Sequence, residues 1–172
     1  INPFTPYLSE EMGSKLNLGI ISIGKWPEVD ESKIQPKLEA EEDFISHVIS
    51  DIEEIKKLSK IRPRKISIFV SPAWKYEIYK MVFENKEFKE IMMVDNIKKY
   101  GNEAKKYYQK LEKKKPLEEI FLTASAERTA LIENKDFLEK EFKCEIEIKS
   151  AEKVEHPKAR VAEPRKPGIL IE

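Results

Sequence analysis

Between Pro36 and Pro72 the hydrophobic pattern changes its period, which restricts the chain to folds in which a long helix feeds a strand. Leu38, Ile45, Val48, Ile49, Ile52 and Ile55 recur at three- and four-residue spacing, as one face of a helix requires. Pro36 suits the first turn, where its missing N–H costs no hydrogen bond, and Pro63 stops the helix. At about 1.5 Å per residue this is a rod of roughly 37 Å. KISIFV (Lys65–Val70) is β-branched and apolar enough for a strand. Ser71-Pro72 then repeats the cap-plus-proline start for a helix carrying Trp74, Ile78, Met81 and Val82.

The same signals organise the rest. Near the start, PFTPYLSEEM opens a helix: Thr5 is placed to cap it, Pro6 takes the first helical position, and Glu10 and Glu11 complement the positive end of the dipole. Its apolar stripe of Tyr7, Leu8, Met12 and Leu16 is too short to hold a helix alone, so the chain reads as a fragment of something larger. Phe88–Lys115 reads as one helical run with Ile91, Met92, Ile97, Tyr100, Ala104, Tyr107, Tyr108 and Leu111 inward, a kink at Gly101 and an end at Pro116. A β-helix-β pattern follows. It comprises a strand at Ile120–Leu122, a helix at Ala124–Phe142 with Leu131, Ile132, Phe137, Leu138 and Phe142 inward, and a strand at Cys144–Ile148. A crossover of that length permits parallel strands with a right-handed connection. Ser150–Pro167 has no periodicity, and GILIE closes the chain.

Composition then narrows the function classes. No run of about 18 apolar residues could span a bilayer, and no basic-then-apolar leader is visible. The single Cys144, in the alternating run CEIEIK, reads as a half-buried strand thiol, and the expected compartment is cytoplasmic. His47 and His156 are far apart with no Cys or Asp/Glu at ligand spacing, so no metal site is expected. No glycine-rich phosphate loop or nucleophile elbow is present, and acid pairs such as Glu41-Glu42 and Glu53-Glu54 read as solvated helix faces. No catalytic residue is therefore expected within these residues.

The formal net charge is zero, but the charges are segregated. Residues 1–55 carry 12 acidic and 4 basic side chains, residues 56–116 carry 7 and 18, and residues 117–172 carry 13 and 10. A basic middle attracts phosphate whatever the mean charge. Its densest part, KKYGNEAKKYYQKLEKKK, holds Lys98, Lys99, Lys105, Lys106, Lys110, Lys113, Lys114 and Lys115 with Tyr100, Tyr107 and Tyr108 interleaved. Lysines at this density neutralise phosphates, and tyrosines stack on unpaired bases. The same run also reads as the wet side of an amphipathic helix whose tyrosines fall at core spacing. The tail, Gly168, Ile169, Leu170, Ile171 and Glu172, likewise reads either as an edge strand or as an extended end whose backbone groups meet an RNA loop.

The pattern P-F-x-P-x-x-x-E-E-apolar in PFTPYLSEEM resembles a helix of the anticodon-binding-type domain of the class I synthetases for leucine, isoleucine, valine and methionine. With KWPEVDESKI, KISIFVSPAWKYEIY, FLEKEFKCEIEIKSAEK and KPGILIE, essentially the whole chain resembles the C-terminal part of archaeal-type leucyl-tRNA synthetases. The family often has Trp where this chain has Gly13. Its HIGH-like and KMSKS-like motifs do not occur here. The resemblance implies an α+β fold in which the end of a helical bundle, residues 1–60, precedes a small α+β tRNA-binding domain with a short mixed sheet, residues 61–172. It also implies earlier bundle helices and catalytic and editing domains upstream in the same full-length chain. The implied function is contact with the long variable arm of leucine tRNA, by the lysines named above and the tail Gly168–Glu172, in support of ATP- and Mg-dependent aminoacylation. No cofactor is implied for these residues themselves. The competing expectations are a structural or protein-interaction module without RNA binding, and the corresponding region of a valyl or isoleucyl enzyme.

Overall fold

The computed structural model describes residues 3–25, 28–31, 34–115, 117–120 and 122–172. Trp26, Pro27, Ser32 and Lys33 of KWPEVDESKI, the terminator Pro116, and Phe121 of the expected strand lie outside the described residues. The chain divides into two compact units, Ile1–Ile34 and Gln35–Glu172.

In the first unit, helix α1 spans Pro6–Lys15 and a 3-10 turn spans Ile21–Ile23. The expected stripe of Tyr7, Leu8, Met12 and Leu16 is exposed, and the small residues Ser9 and Gly13 are buried instead. Ile21 lies over Gly13 so closely that a Cβ there would overlap its side chain, so a larger residue at this position needs the Ile21 side chain to move. Glu10 and Glu11 fall beyond the first turn and do not serve the helix dipole. The Glu10 carboxylate accepts from the backbone N–H groups of Ile21 (3.0 Å) and Ser22 (2.6 Å), and Glu11 pairs with Lys15 at 2.7 Å.

The second unit begins with α2 (Pro36–Ser59), ended by Lys60 in the left-handed conformation at φ 56°. Strand β1 (Lys65–Val70) follows, then α3 (Ala73–Phe83), α4 (Phe88–Ile91), α5 (Asp95–Lys98) and α6 (Gly101–Lys113). After these come α7 (Ala124–Glu133), α8 (Lys135–Phe142), β2 (Glu145–Ser150), α9 (Pro157–Arg160) and β3 (Gly168–Ile171). The sheet is mixed, with order β2-β1-β3, and confirms the α+β class. Strand β1 lies in the centre, parallel to β2 (Lys65 opposite Glu145, Ile68 opposite Ile148) and antiparallel to β3 (Ile66 opposite Ile171, Ile68 opposite Ile169). Central placement explains its unbroken burial from Ile66 to Val70, since both faces are covered.

The unit has two cores, one built on the sheet and one between helices. In the first, Phe44, Ile45, Val48 and Ile52 of α2 meet Ile66, Ile68, Leu131, Leu138, Ile146 and Ile169. Phe44 joins this face although the apolar spacing did not single it out, whereas Leu38 is exposed. Helix α2 thus shares its core with the sheet. In the second core, Trp74, Ile78 and Val82 of α3, at i, i+4 and i+8, face Ala104, Tyr107 and Leu111 of α6, at i, i+3 and i+7.

Ile91 and Ile97 complete that second core, both with no exposed surface. Six residues apart, they would point about 120° away from each other on one continuous helix. Extended backbone at Val94 (ψ 120°) breaks the expected single helix into α4, α5 and α6 and turns both isoleucines inward. The expected helix Ala124–Phe142 is likewise divided at Asn134, leaving Ile132 and Phe137 half exposed. Ser71 does not cap α3. Pro72 occupies the cap position with extended ψ 149°, and the buried Ser71 hydroxyl donates to the Ala162 carbonyl at 3.3 Å. Ile120 and Leu122 are not in a strand, and the parallel partner of β2 is β1. Among the described residues no helix is long and apolar enough to cross a membrane.

Candidate nucleic-acid interface

Helix α6 forms because Ala104, Tyr107 and Leu111 place one apolar stripe against α3, which forces the lysines to the opposite side. All eight lysines between Lys98 and Lys115 are exposed. Lys98 pairs with Asp95 at 2.7 Å, Lys115 pairs with Glu112 at 2.9 Å, and Lys99 sits 5.1 Å above the Tyr100 ring. Lys110 and Lys114 both converge on Glu163, the latter at 3.4 Å. Lys105, Lys106 and Lys113 form no ion pair among the described residues, leaving three ammonium groups on one helix face for an external anion.

The tyrosines have a different task from base stacking. Tyr100 stacks on Trp74 at 4.8 Å, Tyr107 meets the same indole edge-on at 5.9 Å, and Tyr108 lies 5.1 Å from Phe88. Tyr100 and Tyr107 bolt the lysine helix to α3, and Tyr108 ties it to α4. Burial together with the Glu152 carboxylate on its hydroxyl pushes Tyr100 up to about 12, so it is a neutral donor at physiological pH.

Two residues that sequence reasoning did not single out complete the site. Lys75 is 8% exposed, and its ammonium donates to the carbonyls of Arg160 (3.0 Å) and Ala162 (2.6 Å) while lying 5.6 Å from the Trp74 and Tyr107 rings. Burial, chiefly, lowers its pKa. This cation staples the segment after α9 to the aromatic cluster. Glu163, its side chain 16% exposed, opens a tight turn in which Glu163 and Lys166 exchange backbone hydrogen bonds at 2.9 Å. No local pattern could announce these contacts, because the partners lie 49 to 87 residues apart in sequence. Between α6 and the segment after β2 runs an open cleft of about 650 Å³, bordered by Trp74, Tyr100, Lys106, Lys110, Arg160 and Glu163.

The tail Gly168–Glu172 is built into the sheet. Ile169 is 5% exposed in the first core, and Gly168 passes the Lys158 carbonyl so closely that a Cβ there would overlap it. Beyond β3, the Glu172 carbonyl accepts from Arg64 (2.7 Å) and Lys65 (3.1 Å), and its N–H donates to the Lys65 carbonyl at 2.9 Å. Since backbone groups alternate sides along an antiparallel ladder, bonding of Glu172 toward β1 directs those of Ile171 and Ile169 to the opposite edge. That edge carries no further strand among the described residues. The turn at Glu163–Lys166 thus connects the lysine helix to the strand that ends the chain.

Residues 1–70, ending with β1, match the anticodon-binding domain of tRNA ligase. A leucine–tRNA ligase of Pyrococcus abyssi is 39% identical across 99% of this chain and 18% of its own length. Leucine–tRNA ligases of Methanocaldococcus jannaschii (38%; 99% and 18%) and Methanococcoides burtonii (32%; 99% and 20%) are similar over the same extent. The chain therefore spans about a fifth of the length of the curated relatives it matches, and along that span it is similar to archaeal leucine–tRNA ligases.

Proposed function

We propose that the chain is the tRNA-binding region of a leucine–tRNA ligase and grips the long variable arm of leucine tRNA. The observation that carries this reading is the similarity to leucine–tRNA ligases along 99% of the chain. The lysine face of α6 supplies the physical means. An A-form duplex is held chiefly through its backbone, and Lys105, Lys106 and Lys113 have no competing ion pair among the described residues. Lys98, Lys99, Lys110, Lys114 and Lys115 extend the same positive surface. Unpaired bases at the tip of the arm then meet the outer edge of β3 at its exposed end, where the backbone groups of Ile171 and the side chain of Glu172 offer donors and acceptors.

In the full-length protein, working in the cytoplasm, ATP- and Mg-dependent aminoacylation and editing belong to other domains of the same chain. Among the described residues no group of three His, Cys, Asp or Glu side chains is placed to hold a metal ion.

Salt titration tests the proposal. Binding of a leucine tRNA transcript at several ionic strengths should fall with a log–log slope of about −0.9 per phosphate engaged on duplex. Replacing Lys105, Lys106 and Lys113 with Gln should reduce that slope by about one for each phosphate no longer engaged, for tRNAs of any sequence. A flat response to salt would identify a protein-interaction module. Equal binding of valine or isoleucine tRNA would overturn the leucine assignment. Deleting Ile171 and Glu172, which spares the buried Ile169, should erase preference for the long arm in a protein that a melting curve shows to be folded, each base contact being worth about 1–3 kcal/mol. Discrimination retained by the truncated protein would refute base reading by the tail.

A further inference from the structure

We propose that Glu163 is a built-in competitor for phosphate, occupying Lys110 and Lys114 in the free protein and yielding them only to a polyanion that engages the α6 face. The inference rests on α6 being the phosphate-binding element. Its geometric basis is the convergence of two lysines, one helical turn apart, on the two oxygens of a single carboxylate. The local backbone does not depend on that carboxylate: the turn it opens is held by backbone bonds to Lys166, and its neighbour Ala162 by Lys75 and Ser71. The carboxylate is also well seated. Burial pushes its pKa up, yet the Lys110 and Lys114 ammonium groups outweigh that and hold it below the ordinary carboxylate range.

Such an arrangement makes binding conditional. One phosphate, or a carboxylate on a passing protein, gains little by displacing Glu163, because it exchanges one ion pair for another. A backbone already held by Lys105, Lys106 and Lys113 presents further phosphates at high local concentration and displaces it. Glu163 thereby raises the selectivity of the lysine face for extended nucleic acid over isolated anions.

The test is a binding series on the full-length protein with a leucine tRNA transcript as probe. Glu163→Gln should bind about three- to fivefold tighter, the worth of one or two partly exposed ion pairs. Its salt slope should steepen by about one, because no displaced carboxylate recaptures a counterion. In a protein already carrying Lys110→Gln and Lys114→Gln, the same change should have no effect. Unchanged or weaker binding by Glu163→Gln would overturn the proposal, as would equal tightening in the lysine-neutralised background. If Lys105→Gln, Lys106→Gln and Lys113→Gln still weaken binding while Glu163→Gln does nothing, only the competitor role fails. If none of the lysine changes matters, the reading of α6 fails and takes the competitor role with it. A melting curve checks folding of each variant, and Glu163→Asp, with the charge kept on a shorter arm, should fall between the parent and Glu163→Gln.

Discussion

Glu127 on α7 has no exposed surface, and its environment ties stability to pH in a calculable way. One carboxyl oxygen accepts from the Arg165 backbone N–H at 2.8 Å. The other has no hydrogen-bond partner, and the Tyr76 hydroxyl beside it, also buried, forms no well-oriented bond. Burial dominates and raises the Glu127 pKa from 4.5 to about 7, opposed by Tyr76 and by the N–H and charge of Arg165. The folded state therefore holds the proton more tightly than the unfolded chain does. The contribution of this group is fully present below about pH 4.5, declines as pH rises toward 7, and levels off above it. At 1.36 kcal/mol per unit, the decline amounts to about 3 kcal/mol. Glu127→Gln keeps an acceptor for Arg165 and removes the charge, so the variant should gain on the parent by about that amount at pH 8 and by almost nothing at pH 4. Urea unfolding of both proteins across that range measures the difference. Parallel pH profiles would refute the reasoning, showing that the carboxylate finds compensation when ionised.

Other predictions concern the end of the chain. Ile169→Ala removes a buried side chain between α2 and the sheet, which costs about 2–5 kcal/mol; at roughly 4 °C per kcal/mol the melting temperature should drop by about 8–20 °C, and a drop below about 4 °C would refute its core position. Gly168→Ala would drive a Cβ into the Lys158 carbonyl, so α9 or β3 must shift at a cost of about 1–3 kcal/mol; amide exchange along β3 should accelerate, and unchanged protection would refute the close approach.

Much of this protein is dictated locally. KISIFV is a strand because β-branched residues suit an extended, covered position, and the observed bounds Lys65–Val70 coincide with the expected ones. The long helix starts at Pro36 because a proline there sacrifices no bond, and its face of Ile45, Val48 and Ile52 follows from helical spacing. The lysine face of α6 was legible for the same reason: charge density and the stripe of Ala104, Tyr107 and Leu111 are both written within one helix. Family resemblance was legible too, since it rests on residues read in order.

Tertiary structure decided everything that required two distant segments to meet. Helical periodicity alone could not break Phe88–Lys115, because the break exists only so that Ile91 and Ile97 can enter a core supplied by α3. The tyrosines were compatible with stacking on bases until Trp74, from another helix, claimed Tyr100 and Tyr107. GILIE had two readings by itself. Pairing with β1 resolved its backbone conformation, because a strand needs a partner that sequence order does not name. Lys110 and Glu163 are 53 residues apart, and neither residue type nor spacing predicts that they touch. Local chemistry selects helices, strands and charged faces within a few residues, whereas long-range pairing is chosen by the burial of the whole unit and so belongs to the fold.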